Sequence, residues 1–265
     1  MAPRSAPVDR HDDVAAYVLH AWPYKETSLI VEVFTRDQGR VAMVAKGAKR
    51  PRSELRGLLQ AFQPILVSWS GAAELKTLVR AEWRGGIGLP AGRALMSAFY
   101  VNELVLKLTA REDAHPALWD AYEAALGGLA VEAASGAQAG ILRRFELALL
   151  TELGYALPLD HEVGTGAAID PAERYHYAFD QGPRRFVAEP GVRWPVVRGS
   201  TLIALATQHY GDADSVAEAR RLMREVLDHY LETKRIESRR IVTDLMALDE
   251  SPHVPPSIPI PGTRA

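Results

Sequence analysis

The first third of the chain consists of short apolar runs separated by turns that contain glycine. In the run at 28–34, Leu29, Val31 and Val33 alternate with other residues, and the run at 40–46 repeats this alternation. A period of two puts one side of a β-strand into a core. Similar runs occupy residues 15–20, 64–69 and 74–79. Five strands in so short a stretch predict a small barrel of the OB type, although an SH3-like barrel would have the same number of strands.

The period changes after the segment Gly-Gly-Ile-Gly-Leu-Pro at 85–90, which we interpret as a domain boundary. Helix-like apolar spacing follows at 94–110, 116–129, 139–153, 200–209, 214–233 and 239–248. The stretch between the third and fourth of these is rich in glycine and proline, with two strand-like runs at 175–179 and 185–187. The predicted fold class is α+β: an N-terminal five-stranded OB-like β-barrel, then an α-helical domain with a small inserted β-containing subdomain that lacks zinc ligands.

These patterns predict an N-terminal domain at 1–84, a helical domain at 90–250 with its insert at 155–199, and a tail at 251–265. The tail contains five prolines and is expected to be disordered. Of the 265 residues, 48% are hydrophobic, which is enough for a sizeable core without disulfides.

The chain contains no cysteine, which excludes disulfides, a thiol nucleophile and cysteine-bound metals. No apolar run reaches the roughly 20 residues of a membrane helix, and we expect a cytoplasmic protein without a membrane partner. Motifs of P-loop ATPases, serine hydrolases and zinc proteases are missing. The histidines and glutamates of the insert match no standard metal spacing. We therefore predict a protein that is not an enzyme and has no catalytic residues, metal or other cofactor.

A basic run is the clearest local feature, and it surrounds the turn after the third predicted strand. Only two acidic residues interrupt it. Cations on such a loop suit a phosphate backbone, whereas a solvated hairpin end is the equally compatible alternative. A second basic run lies near the C-terminus and either extends a phosphate path or caps a helix. The candidate DNA-binding residues are Arg36, Arg40, Lys46, Lys49, Arg50, Arg52 and Arg56, with Lys234, Arg235, Arg239 and Arg240.

Aromatic side chains in the β region add to the DNA-binding interpretation, because bases stack on exposed rings. Most rings on strands lie in a core, and the ones considered are Tyr17, Trp22, Tyr24, Phe34, Phe62 and Trp69. Trp22 and Tyr24 flank Pro23 in a predicted turn, and we expect these two to be accessible.

The helix predicted at 139–153 carries two arginines directly before a strongly apolar stretch. Arg143 and Arg144 precede Phe145, and Leu149 follows one turn later. An arginine beside an apolar groove binds a carboxylate while the groove takes a side chain, which would make these four residues a partner site. The same pattern fits a core helix whose arginines reach the surface.

The order of several motifs resembles the RecO family over roughly residues 14–248. The N-terminal motifs are Ala-Tyr-Val-Leu at 16–19, Tyr-Lys-Glu-Thr-Ser at 24–28, Phe-Thr-Arg-Asp-Gln-Gly at 34–39, Val-Ala-Lys-Gly-Ala-Lys-Arg at 44–50 and Leu-Leu-Gln-Ala-Phe at 58–62. Arg-Arg-Phe-Glu at 143–146, Leu-Gly-Tyr at 153–155 and Ser-Arg-Arg at 238–240 follow. Each motif is modest, and their order makes the resemblance specific.

The resemblance implies an OB fold, a helical domain and an inserted subdomain. It implies binding of single- and double-stranded DNA, strand annealing, and action with RecR in DNA recombination and in repair of DNA damage. It further implies that the acidic, apolar C-terminal tail of single-strand-binding protein docks on the Arg143–Leu150 helix, that RecA is engaged indirectly, and that the protein is associated with the nucleoid.

The insert departs from the family pattern, since many relatives carry four cysteines there. Glu162 and Thr165 stand where cysteines are expected, so the resemblance implies a version without zinc. One alternative function stays open, in which the barrel is a protein-interaction scaffold without direct DNA binding.

Overall fold

The N-terminal strands close into a barrel in the computed structural model, which describes residues 9–86, 88–131, 135–188, 190–191, 193–231 and 236–238. The strand order around the barrel is β1-β2-β3-β5-β4, and the pairing of β3 with β5 is parallel. This five-stranded barrel confirms the predicted OB-like fold. Its elements are β1 (Arg10–Tyr24), β2 (Ser28–Thr35), β3 (Gly39–Ala45), a short helix α1 (Leu55–Leu58), β4 (Pro64–Ser70) and β5 (Leu75–Trp83).

A β-bulge divides β1 into two halves, because the register with β2 shifts between Val18 and His20. Before the bulge, Ala16 and Val18 point into the barrel core. The carbonyl of the bulged residue, Leu19, accepts a hydrogen bond from Asn102 Nδ2 at 2.9 Å. A helix therefore satisfies the backbone group that the bulge removes from the sheet ladder.

The helical region begins with α2 (Arg93–Leu108), α3 (Pro116–Val131) and α4 (Ser135–Glu152), followed after the insert by α5 (Gly199–Thr207) and α6 (Ala213–Leu231). These five helices confirm the predicted helical domain. The helix predicted at 239–248 lies outside the described residues. None of the helices in the described ranges is long and apolar enough to cross a membrane.

The insert contains a three-stranded sheet of β6 (Arg174–Ala178), β7 (Gly182–Arg185) and β8 (Val196–Arg198) in the order β7-β6-β8. The inserted β subdomain is thereby confirmed, although β7 begins three residues and ends two residues earlier than predicted and β8 was missed by the sequence pattern. Within the ranges described above, no three His, Asp or Glu side chains are grouped to hold a metal ion.

Some residues of the barrel belong to the hydrophobic core of the helices, which is separate from the barrel's own core. Tyr17 and Phe34, on the outside of the barrel, pack against Trp119 of α3 with ring centroids 5.2 and 5.6 Å apart. The loop between α2 and α3 adds to the barrel edge, since the N–H of Glu112 donates to the Arg40 carbonyl at 2.9 Å. These contacts fix the position of the barrel surface relative to the helical domain.

Candidate nucleic-acid interface

The loop that carries the first basic run follows β3, and backbone contacts hold it against the barrel. Gly47 has a φ of +72°, a conformation that favours glycine, and the buried Ala48 anchors the loop in the barrel core. The backbone N–H of Lys49 donates to the Thr27 carbonyl in the β1–β2 turn at 2.9 Å. The loop therefore lies against that turn, and its cations are carried on an ordered backbone.

Five cations of this segment are exposed and available to a ligand. Within the described residues none of them forms an ion pair, so their charges are not neutralised by the protein itself. A set of unpaired cations on an ordered loop suits a chain of phosphates. These residues, here called the basic loop although the last lies on α1, are Lys46, Lys49, Arg50, Arg52 and Arg56.

Aromatic side chains lie on the outer face of β1, next to the turn that contacts the basic loop. The rings of His20 and Trp22 stack with centroids 5.4 Å apart, and Lys25 Nζ lies 5.3 Å from the centroid of the Tyr24 ring. Trp22 pairs in register with Ile30 of β2. Trp22 and Tyr24 are half-buried, which leaves part of each ring open to a base.

Four other rings are unavailable to a base. Tyr17, Phe34, Phe62 and Trp69 are all buried. Burial and the nearby Glu123 carboxylate, which accepts a hydrogen bond from the Tyr17 hydroxyl, raise the pKa of Tyr17. Tyr17, Phe34 and Phe62 pack in the core of the helices, whereas Trp69 packs in the barrel core.

Two predicted DNA-binding arginines are engaged within the protein. Arg40 is a correction, because its side chain forms a buried ion pair with Glu32 and donates to the Thr109 carbonyl at 2.6 Å. Burial lowers the pKa of Arg40, and the Glu32 carboxylate only partly offsets this effect. Arg36 is exposed and pairs with Asp120 at 2.8 Å. Neither belongs to the unpaired set.

The second basic run lies outside the described residues, and its members are Lys234, Arg235, Arg239 and Arg240. Between them, the backbone N–H groups of Glu237 and Ser238 donate to the Glu103 carboxylate at 2.7 and 2.8 Å. Glu103 therefore holds Glu237 and Ser238 against α2.

The two arginines of the predicted partner site, in the middle of α4, have different environments. Arg143 is buried and paired with the fully buried Glu146, which also accepts a hydrogen bond from the Tyr100 hydroxyl at 2.7 Å. Burial opposes the charge of Arg143, but Glu146 outweighs it and raises the pKa of the guanidinium. Phe145 and Leu149 are core residues. These three cannot contact a partner, which corrects the sequence-based site.

Arg144 is exposed and lines a pocket of about 480 Å³ between α4 and the start of α6. Ile141 and Val216 contribute apolar walls, and the pocket also touches Gln208 and Tyr210. The Tyr210 hydroxyl and Gln208 Oε1 are buried atoms without a hydrogen-bond partner among the described residues. The pocket thus combines one cation with an apolar surface, and we call it the Arg144 pocket.

Helix α6 carries Arg220 close to the buried Arg143. Burial and the neighbouring charges of Arg224 and Arg143 lower the pKa of Arg220. Arg143 and Glu146 are three residues apart on one helix, a spacing at which side chains meet. This spacing was the sequence signal that could have distinguished the paired Arg143 from the exposed Arg144.

Comparison with known proteins assigns both halves of the chain to one family. The model described as "Recombination protein O N terminal" matches residues 13–87, and "Recombination protein O C terminal" matches residues 89–240. The chain is 50% identical to the DNA repair protein RecO of Aromatoleum aromaticum, over 90% of this chain and 98% of that protein. It is 49% identical to that of Cupriavidus pinatubonensis, over 89% and 80% of the two chains. The chain therefore belongs to the RecO family of DNA repair proteins.

Proposed function

We propose that this protein is a recombination mediator that binds and anneals single-stranded DNA without catalysing a reaction. The observation that carries the proposal is the basic loop, whose exposed, unpaired cations lie on an ordered backbone beside half-open aromatic rings. Phosphates bind to the cations, and bases stack on Trp22 and Tyr24. Double-stranded DNA uses the phosphate contacts alone.

The order of the loop favours binding, because an already fixed loop loses little conformational entropy when DNA docks. Binding of DNA by cations that form no ion pair among the described residues also costs less free energy, since no ion pair has to break. Lys49 and Arg50 combine both properties, and we propose that they make the central phosphate contacts.

We further propose that the Arg144 pocket binds the C-terminal tail of single-strand-binding protein. Arg144 pairs with the terminal carboxylate or an acidic side chain, while Ile141 and Val216 contact the apolar residues of the tail. The relatives are named DNA repair protein RecO. With RecR, this chain would help to load RecA on DNA at the nucleoid, in the cytoplasm.

Fluorescence anisotropy with labelled oligo-dT tests the DNA site. Reversing the charge at Lys46, Lys49, Arg50 and Arg52 should weaken binding by about 100-fold or more at low salt, since each phosphate contact is lost. In the control variant, the charge is reversed at four exposed arginines elsewhere on the protein, namely Arg10, Arg93, Arg221 and Arg224. Its net charge changes by the same amount. Equal affinity of the two variants would favour the scaffold function, in which the barrel does not bind DNA.

A labelled peptide that ends in acidic and then apolar residues tests the Arg144 pocket. Arg144→Ala should weaken its binding by about tenfold or more, the usual loss for a charged hydrogen bond. Arg221→Ala, another exposed arginine, serves as the control. If both variants bind the peptide like the parent protein, the tail docks elsewhere.

A further inference from the structure

The three-stranded sheet of the insert has one face in the core and one face turned outward. Tyr175 and Tyr177 of β6 are buried among the helices. His176 lies between them in sequence and therefore points to the other side, where it pairs in register with Arg184 of β7 and Val196 of β8. This outward face has no function in the activity proposed above.

Aromatic rings cluster on this face around His176. Its ring centroid lies 4.8 Å from that of Phe186 and 6.4 Å from that of Trp194. His176 Nε2 is 3.0 Å from the Val187 carbonyl oxygen, so this nitrogen carries the hydrogen and the ring orientation is fixed. Phe186 is 40% exposed although it is large and apolar. The result is a fixed row of three rings with an open side.

Cations accompany the rings. The Arg184 guanidinium lies 5.7 Å from the centroid of Trp194, and its side chain is exposed. Arg174, two residues before His176 on the same side of β6, is also exposed. The residues of β6, β7 and β8 include no Asp or Glu, so the strands themselves supply no competing negative charge. We call this surface the ring–arginine face.

We infer that the ring–arginine face is a second binding site for single-stranded DNA, built by different elements from the basic loop. Flat bases stack on the row of rings, and phosphates pair with the arginines. An acidic peptide would match the charge but would leave the rings without stacking partners. The inference rests on the proposed function and deepens it, because a protein with two strand sites holds two strands together for annealing.

A two-strand titration tests the inference on the full chain. Acceptor-labelled oligo-dT is added to a one-to-one complex of the protein with donor-labelled oligo-dT, and energy transfer reports the second strand. Arg184→Gln/Phe186→Ala should raise the half-saturating concentration of the second strand about fivefold or more, the loss expected for one base stack. Affinity for the first strand should stay within about twofold, since the basic loop is unchanged.

A matched control replaces the neighbouring residues of the same hairpin, whose side chains alternate with those of the ring–arginine face. Arg185→Gln/Val187→Ala makes the same kinds of change, and Arg185 pairs with Glu173 at 3.6 Å instead of lying over a ring. This control should bind the second strand like the parent protein. Equal thermal midpoints of the two double variants exclude a difference in folding as the cause.

The outcomes separate the two proposals. A parent protein that binds no oligo-dT overturns the proposed function and the second site together. A parent protein that binds the first strand but gives no saturable energy transfer overturns only the second site. Equal effects of the two double variants, or displacement of the second strand by polyglutamate at lower concentration than by oligo-dT, also overturn it.

Discussion

Replacing Arg143 should destabilise the fold, although the next residue of α4, Arg144, lines the Arg144 pocket. Its guanidinium is paired with Glu146, whose side chain is completely buried. Arg143→Ala leaves that carboxylate without its cation in a site closed to water, a change that costs about 3–5 kcal/mol. For a chain of this size, such a loss lowers the thermal midpoint by roughly 6–20 °C.

Thermal unfolding followed by circular dichroism measures the effect. Arg144→Ala is the matched control, because the same residue type is removed from the next, exposed position, with an expected change within about 0.5 kcal/mol. The double variant Arg143→Met/Glu146→Gln has no unpaired carboxylate and keeps an acceptor for the Tyr100 hydroxyl. It should therefore recover part of the stability that Arg143→Met alone loses. Equal midpoints for Arg143→Ala and Arg144→Ala would refute this reasoning.

Two further substitutions test the domain contacts. Gly39→Ala should lower the free energy of unfolding, measured with a chemical denaturant, by more than about 1 kcal/mol. Gly39 has a φ of +62°, and an added Cβ would lie 1.9 Å from the Asp113 carbonyl oxygen. An unchanged free energy of unfolding would contradict this prediction. Burial raises the pKa of Glu218, but hydrogen bonds from Thr201 and Arg198 outweigh it and lower that pKa. The parent protein should therefore be more stable than Glu218→Gln above the ordinary glutamate pKa near 4.3, and this difference in stability should shrink as the pH falls below that value. A difference that grows in acid would contradict the lowered pKa of Glu218.

The barrel was predictable because its signals are local. Alternation of apolar residues marks β2 and β3, and glycine-containing turns separate the runs. The predicted first strand ended at residue 20, whereas β1 continues to Tyr24. The extension depends on the bulge at Leu19, whose carbonyl is satisfied by Asn102 from a distant helix. The helix α1 was missed because four residues that include Gly57 carry no helical periodicity.

The exposure of the candidate site residues was predictable only where their position in the sequence decides it. The cations after β3 are exposed because a tight turn projects them outward, and the basic run locates them. Arg40 lies in the same run but meets Glu32 and Thr109, and Thr109 is distant in sequence. The ring–arginine face could not be recognised, because His176, Phe186 and Trp194 come together only through the pairing of β6 with its neighbours.

Binding of single-stranded DNA by the basic loop is the central claim, and the salt dependence of oligo-dT affinity tests it most directly. Each neutralised phosphate of a single strand contributes about −0.7 to the slope of log affinity against log salt. Neutralising two cations with Lys49→Ala/Arg50→Ala should therefore make the slope less steep by about 1.4. The control Arg93→Ala/Arg221→Ala should keep the parent slope. If the Lys49→Ala/Arg50→Ala variant has the same slope as the parent protein, the account is contradicted.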